Sequence, residues 1–210
     1  MLIDSKYEDI VKTSACILIS GKRKSGKDYV TRLILRRCYE AQLTTAVLHL
    51  SFPIKSHFAS THGLDLAELL TDGPYKERYR KQMVAWGEQE LDRDPHIFTR
   101  QCLNQALAST HSSSIPDVFI VADCRRSADL SYFVDIFKRS NCILVRLSAS
   151  NEVRANRGWI YTPSIDDEDT ECGLDKVTNW DYVVNNDSSD ATHKEFVDWL
   201  MAKITSIKAC

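Results

Sequence analysis

The 210-residue chain lacks the marks of several protein classes. It has no surplus of either charge: 27 basic against 29 acidic residues leave a formal net charge of −2. A general nucleic-acid or membrane-surface binder needs a basic excess, so both are excluded. No apolar run approaches the ~20 residues of a membrane span. The opening MLIDSKYEDIVK mixes acids with apolar residues and lacks the basic-then-apolar layout of a secretory leader. The closing IKAC is not a peroxisomal address. The seven cysteines are odd in number and form no CxxC pair. Several lie in apolar runs such as SACILIS and NCILVRL, so they read as reduced core residues of a cytosolic protein, not as a disulfide frame or zinc site. The histidines show no metal-ligand spacing. The nucleophile motif G-x-S-x-G and the base-reading motif N-K-x-D are absent. Internal repeats and low-complexity linkers are also missing.

What is present is an alternation. Short, nearly continuous apolar runs at 15–20, 44–51, 117–123, 141–148 and 181–186 read as strands buried on both faces. Helical spacing separates them, with Val30, Leu33, Ile34 and Cys38 on one face of 27–41. Further helical patterns cover 75–91, 98–110 and 191–207, and HSSSIPD (111–117) reads as a surface turn. The expectation is a three-layer α/β fold with a five-stranded parallel sheet. Two connections exceed a simple crossover. Residues 51–110 are expected to form a helical substrate-binding lobe and residues 151–179 a lid, around a core of 14–50, 115–150 and 180–210. All belong to one domain.

The first strand runs into SGKRKSGKD. Gly21 and Gly26-Lys27 have the spacing G-x-x-x-x-G-K of a phosphate-binding loop. The loop lies between a strand and a helix, as its mechanism requires, because backbone N–H groups and the helix N-terminus must face the phosphates. Lys27 is placed to reach the transferring phosphate. Asp28 stands where such loops carry Ser or Thr; a carboxylate there suits the helix dipole and is able to hold Mg²⁺ or its waters. Lys22, Arg23 and Lys24 crowd the loop. Two like charges ~4 Å apart repel by about 4 kcal/mol at an effective dielectric of 20. A dense cationic shell therefore suits an acceptor that is itself a phosphate.

Other candidates follow the same logic. Asp123 ends a buried strand, well placed for Mg²⁺. Arg125 and Arg126 follow it as a bidentate phosphate clamp. Arg154 and Arg157, at i and i+3 after another strand, have the layout of a lid arm. Lys76, Arg80 and Lys81 suit the charge of a second substrate, with Glu77 and Glu88 available to pair with them. The acidic run DDEDTE (166–171) reads as a solvated lid or hinge. Trp86, Trp159, Trp180 and Trp199 read as core or lid packing.

At SGKRKSGKD, YKERYRKQMVAWGE, DCRR, RGWIYTP with DDEDTECGLD, and WDYVVNN, the chain resembles the animal-type phosphomevalonate kinases, from Ile17 to about Asp187. Asp at the Ser/Thr position of the loop is part of that family's pattern. The resemblance implies a nucleoside-monophosphate-kinase-like P-loop fold and transfer of the γ-phosphoryl of ATP, with Mg²⁺, onto (R)-5-phosphomevalonate in the cytosolic mevalonate pathway. It implies that Gly21, Lys22, Arg23, Lys24, Ser25, Gly26, Lys27 and Asp28 bind ATP, with Arg154, Arg157 and Asp187. Lys22, Arg23, Lys76, Arg80, Arg100, Arg125, Arg126 and Asn186 face the acceptor. Lys27, Asp28, Arg125, Arg126 and Arg157 serve catalysis, and Asp28 and Asp123 the metal. The family's basic pair after WGE is replaced by Glu90-Leu91, with Arg93 nearby as a substitute. A small-molecule enzyme working as a monomer is expected. A nucleoside monophosphate kinase and a non-catalytic nucleotide-binding protein are the competing readings.

Overall fold

The computed structural model describes residues 7–71, 73–109, 115–187 and 190–209. Part of the expected turn at 111–117 and the last cysteine lie outside them. The strands are β1 (Ala15–Gly21), β2 (Thr45–Leu48), β3 (Val118–Cys124), β4 (Cys142–Ser148) and β5 (Tyr182–Asn185). They form one parallel sheet in the order β2-β3-β1-β4-β5. β1 is central and buried along its whole length, which is why its sequence shows no polar alternation.

Side-chain direction alternates along each strand and divides the interior into two cores. Cys16 and Leu18 of β1 face one side with Phe119, Val121 and Leu144. There they meet Phe133, Ile136 and Phe137 of α7 (Ser127–Phe137), Leu103 of α6 (Ile97–Ala108) and Ile10 of α1 (Glu8–Thr13). Ile17 and Ile19 face the other side with Ile120 and Val145. They meet Val30 and Ile34 of α2 (Lys27–Glu40) and Phe196, Leu200 and Ile204 of α10 (Asp190–Lys208). Truncating a side chain such as Leu18 in these cores costs about 2–5 kcal/mol.

The expected α/β sheet with helices on both faces is what the chain forms. Periodicity left α1, α3 (Phe52–His62), α4 (Leu66–Leu70) and α7 unnamed: α1 and α4 are only six and five residues long, the polar residues of α3 are scattered along it, and α7 does carry an exposed stripe of Ser127, Ser131 and Asp135. Helices α3, α4 and α5 (Pro74–Arg93) enclose a separate small core of Phe58, Leu69 and Met83. α6 differs: its Cys102 and Leu103 belong to the main core. After β4 come α8 (Asn151–Asn156) and the one-turn α9 (Asp169–Cys172). Among the described residues every cysteine is free, and all but Cys172 are buried.

Candidate active site

The loop after β1 owes its shape to two glycines. Gly26 has φ of 95°, the left-handed region that suits glycine, and a Cβ there would lie 2.0 Å from Asn186 Nδ2. At Gly21 a Cβ would lie 2.6 Å from Ser25 Oγ and 2.8 Å from the Leu147 carbonyl. Lys24 also has a left-handed backbone, at φ 58°, a conformation that costs a non-glycine residue energy and that surrounding contacts must hold.

Those contacts come from far along the chain. Arg154 Nε donates to the Arg23 carbonyl at 2.8 Å. Arg157 Nη1 donates to the Lys24 and Ser25 carbonyls at 3.3 and 3.2 Å. Asn186 Nδ2 donates to the Ser25 carbonyl at 2.6 Å. Lys27 Nζ reaches back to the carbonyls of Gly21, at 2.5 Å, and Lys22, at 3.0 Å. Side-chain donors thus hold the carbonyls of residues 21 through 25. Gly26, the residue before α2, supplies no side-chain cap, so the helix enters the loop with its first N–H groups uncapped by a side chain. Ser25 Oγ is buried without a partner among the described residues.

Anionic groups already sit among the cations. Glu171, 7% exposed, accepts from the Arg23 backbone N–H at 2.8 Å and pairs with Arg125 Nη1 at 2.7 Å. Asp166 is buried as well and pairs with Arg23 at 3.2 Å, while accepting from Trp159 Nε1 at 3.0 Å. Lys22 pairs with Asp175 at 2.6 Å. The acidic run expected to be solvated is therefore split. Asp167, Glu168 and Asp169 are exposed, whereas Asp166 and Glu171 are buried by the cations they neutralise.

Arg154 is buried and its guanidinium lies 3.9 Å from the centroid of the Trp159 ring. α8 ends at Asn156, so Arg157 follows the helix as its C-cap. Both arginines nevertheless turn to the loop. Arg125 is within 3.4 Å of the Gly21 carbonyl, and Arg126 pairs with Glu88 of α5. Burial, followed by the Arg125 cation, pushes the Lys27 amine from its ordinary 10.5 down to about 7.

On the other side of the loop, Lys76 is buried in the first turns of α5. Arg80 chelates Glu77 at 2.6 and 2.8 Å, and Glu77 lies 3.8 Å from Arg23. The ion pair with Arg80 holds the Glu77 carboxyl below its usual range. Arg100 pairs with Asp94 at the α5–α6 turn, and no contact among the described residues ties it to the loop. Arg93 pairs with Glu90 on an exposed face at 2.7 Å. Asp123 accepts from the N–H groups of Leu50, at 2.6 Å, and Ser51, at 3.2 Å. Asp187 accepts from the Ser150 N–H at the entry to α8. Asp28 is exposed on the first turn of α2.

With this geometry in place, similarity to known proteins is decisive. A family model described as phosphomevalonate kinase matches residues 19–139. A Drosophila melanogaster protein named phosphomevalonate kinase is 36% identical over 189 residues, covering 90% of this chain and 95% of that protein. The chain belongs to the phosphomevalonate kinase family. The crystal structure of TT1252 from Thermus thermophilus shares the fold, with a TM-score of 0.51 at 16% identity over 91% of this chain and 98% of that one.

Three residues of this family member escaped the sequence reading. Lys55 of α3 has its amine pushed down by burial, then by Lys76, and it senses Asp123, Arg80 and Asp28. It stands where the loop side and the α5 side meet. Nothing in FPIKSH marks it beyond a lone lysine among apolar residues. Asp129 receives the N–H groups of Arg125 and Arg126 at 2.8 and 2.9 Å. It fixes the turn that carries both arginines, and an acid in the first turn of a helix after a strand was the available signal. Arg146 of β4 bonds Ser20 Oγ at 2.9 Å and Asp175 at 2.6 Å; it lay hidden inside a strand run.

Proposed function

We propose that this cleft transfers the γ-phosphoryl of ATP to (R)-5-phosphomevalonate, giving (R)-5-diphosphomevalonate and ADP, a step of the mevalonate route to isoprenoids. One observation carries the reading beyond family membership: Glu171 places a carboxylate on a loop N–H and on Arg125 at once. The site is thus complementary to an anionic oxygen, and a phosphate brings more charge to the same donors.

The work of the protein is alignment and charge neutralisation. The loop N–H groups, Ser25 Oγ and Lys27 hold the β- and γ-phosphates of ATP. Arg154 and Arg157 brace the loop from the lid side. Arg125 and Arg126 lie between donor and acceptor and take the charge that spreads over the transferring group. Lys55, Lys76 and Arg80 hold the acceptor's anionic groups. The attacking phosphate oxygen is already deprotonated, so the reaction needs no general base. Closure of 151–179 over the cleft excludes water and suppresses ATP hydrolysis.

Among the described residues no three His, Cys, Asp or Glu side chains converge as a metal site. Asp28 and Asp123 both raise the pKa of the buried Lys27 amine, so their charge reaches the loop, and Mg²⁺ commonly takes only one or two carboxylates beside phosphate oxygens and water. Asp28 and Asp123 are the carboxylates assigned to it. Bound there, the ion would neutralise the β- and γ-phosphate oxygens. The monomer is taken as the catalytic unit. Reduced, mostly buried cysteines support a cytosolic setting.

The test is a coupled ADP-release assay with ATP and Mg²⁺. Turnover is expected with phosphomevalonate and not with AMP, CMP, UMP or GMP. Strong turnover with a nucleotide acceptor, or ATP binding without turnover on either panel, would overturn the proposal.

A further inference from the structure

We infer that His193, on the C-terminal helix α10, is a positioning residue that holds the phosphate loop through Asn186. The inference rests on the loop's holding ATP, and it adds a group that touches neither substrate.

The chain of contacts is short and buried. Asn186 is 2% exposed and His193 7%. Asn186 Nδ2 donates to the Ser25 carbonyl at 2.6 Å, so its Oδ1 is the end that must accept. His193 Nε2 lies 2.6 Å from that Oδ1. The pairing fixes the tautomer: Nε2 carries the hydrogen and donates. A flipped Asn186 amide would set its oxygen against the Ser25 carbonyl and its nitrogen against the Nε2 hydrogen. Both contacts would then be lost, so His193 locks the amide in its loop-holding orientation.

The place where this amide sits is critical. It occupies the space a side chain at residue 26 would need, 2.0 Å from the ideal Cβ position. It is therefore packed on the backbone immediately before Lys27. The backbone of Asn186 is tied in as well, since its carbonyl accepts from Arg157 Nη2 at 2.7 Å and its N–H donates to the Ser148 carbonyl at 2.8 Å. Asn186 is thus a joint between the loop, the lid arginine and the end of β4. His193 connects that joint to α10, which Phe196 and Leu200 anchor in the apolar core. The Tyr29 ring meets the imidazole edge-on, with centroids 5.3 Å apart. A phosphate cradle loses effectiveness when its groups shift by ~1 Å, and supporting hydrogen bonds of this kind keep reacting groups in place.

The experiment compares His193→Leu, His193→Gln, Asn186→Ala and the His193→Leu/Asn186→Ala double variant. ATP affinity is measured by calorimetry, alongside KM for each substrate, kcat and Tm. Binding of ATP to the unaltered protein is measured first, which separates failure of the loop reading from failure of this inference. His193→Leu is expected to raise the ATP Kd and KM about fivefold to tenfold and to leave KM for the phosphomonoester acceptor within about twofold. The Gln amide is able to donate where Nε2 does, so His193→Gln is expected to recover most of the ATP affinity. The double variant is expected to bind ATP no worse than Asn186→Ala alone, because the two residues act in series. Equal loss in the Leu and Gln variants, additive losses in the double variant, or parallel KM rises for both substrates would overturn the inference. So would unchanged ATP affinity in His193→Leu.

Discussion

The two sides of the cleft hold their cations by different means. On the nucleotide side, Arg154, Arg157 and Asn186 reach the loop across 131, 133 and 161 residues of sequence. Arg23 meets Asp166 across 143. Along α5 and at its turn into α6, Arg80 meets Glu77, Arg93 meets Glu90 and Arg100 meets Asp94, at three, three and six residues. Contacts of the first kind exist only in the folded chain and set the loop's geometry. The Arg80–Glu77 and Arg93–Glu90 pairs, three apart on one helix, form wherever that helix forms and are worth about 0.3–0.5 kcal/mol each; Arg100–Asp94 spans the turn between α5 and α6. On the proposed reading, the nucleotide side is a cradle shaped by tertiary contacts, and the acceptor side offers Arg80, whose local partner Glu77 is exchanged for a substrate anion.

The sharpest break of this comparison is Lys27→Met. It removes the buried amine that ATP recharges, and kcat is expected to fall about 10³-fold in a steady-state assay while circular dichroism shows the fold intact. Near-normal turnover would sink the cradle assignment. Next is Arg80→Met, expected to raise KM for phosphomevalonate about tenfold with the ATP KM unchanged; a change confined to ATP would erase the division between the two sides.

Glu171→Gln is expected to act in the opposite sense. It weakens the internal carboxylate that competes with phosphate for Arg125 and the Arg23 N–H, so ATP affinity should rise about threefold. Tm should fall, since Arg125 loses a charged partner. Weaker ATP binding would show that Glu171 aids the cradle instead of competing for it.

The smallest effect concerns protons. Lys27 is held at about 7, below its ordinary 10.5, so between those values the folded protein binds fewer protons than the unfolded chain. Its contribution therefore makes stability rise with pH across that interval. ATP brings negative charge and recharges the amine. At pH 8, binding is expected to take up a fraction of a proton, measured by calorimetry in buffers of different ionisation enthalpy. Zero uptake would contradict the burial of a neutral Lys27 in the empty cleft.

Much of this was legible because it is local. G-x-x-x-x-G-K between a strand and a helix declares itself through residue type and spacing. The buried strands show as unbroken apolar runs. Lys76 and Arg80 fall four apart, on one face of α5. Apart from Asp129, whose partners are three and four residues away, the misses are cases in which a partner lies far away in sequence. Asp166 and Glu171 look like surface acids until Arg23 and Arg125 cover them. Lys55 and Arg146 look like ordinary basic residues of a helix and a strand. His193 looks like one more polar residue of an amphipathic helix until Asn186 is found against it.

The sequence by itself determined the order of elements, the parallel sheet and the stretch that meets phosphate, because hydrophobic period and glycine spacing act over a few residues. Tertiary structure alone decided which carboxylate answers which cation and which side chains hold the loop carbonyls. Those pairings depend on distance and burial between segments from about 40 to more than 150 residues apart, and no local pattern encodes them.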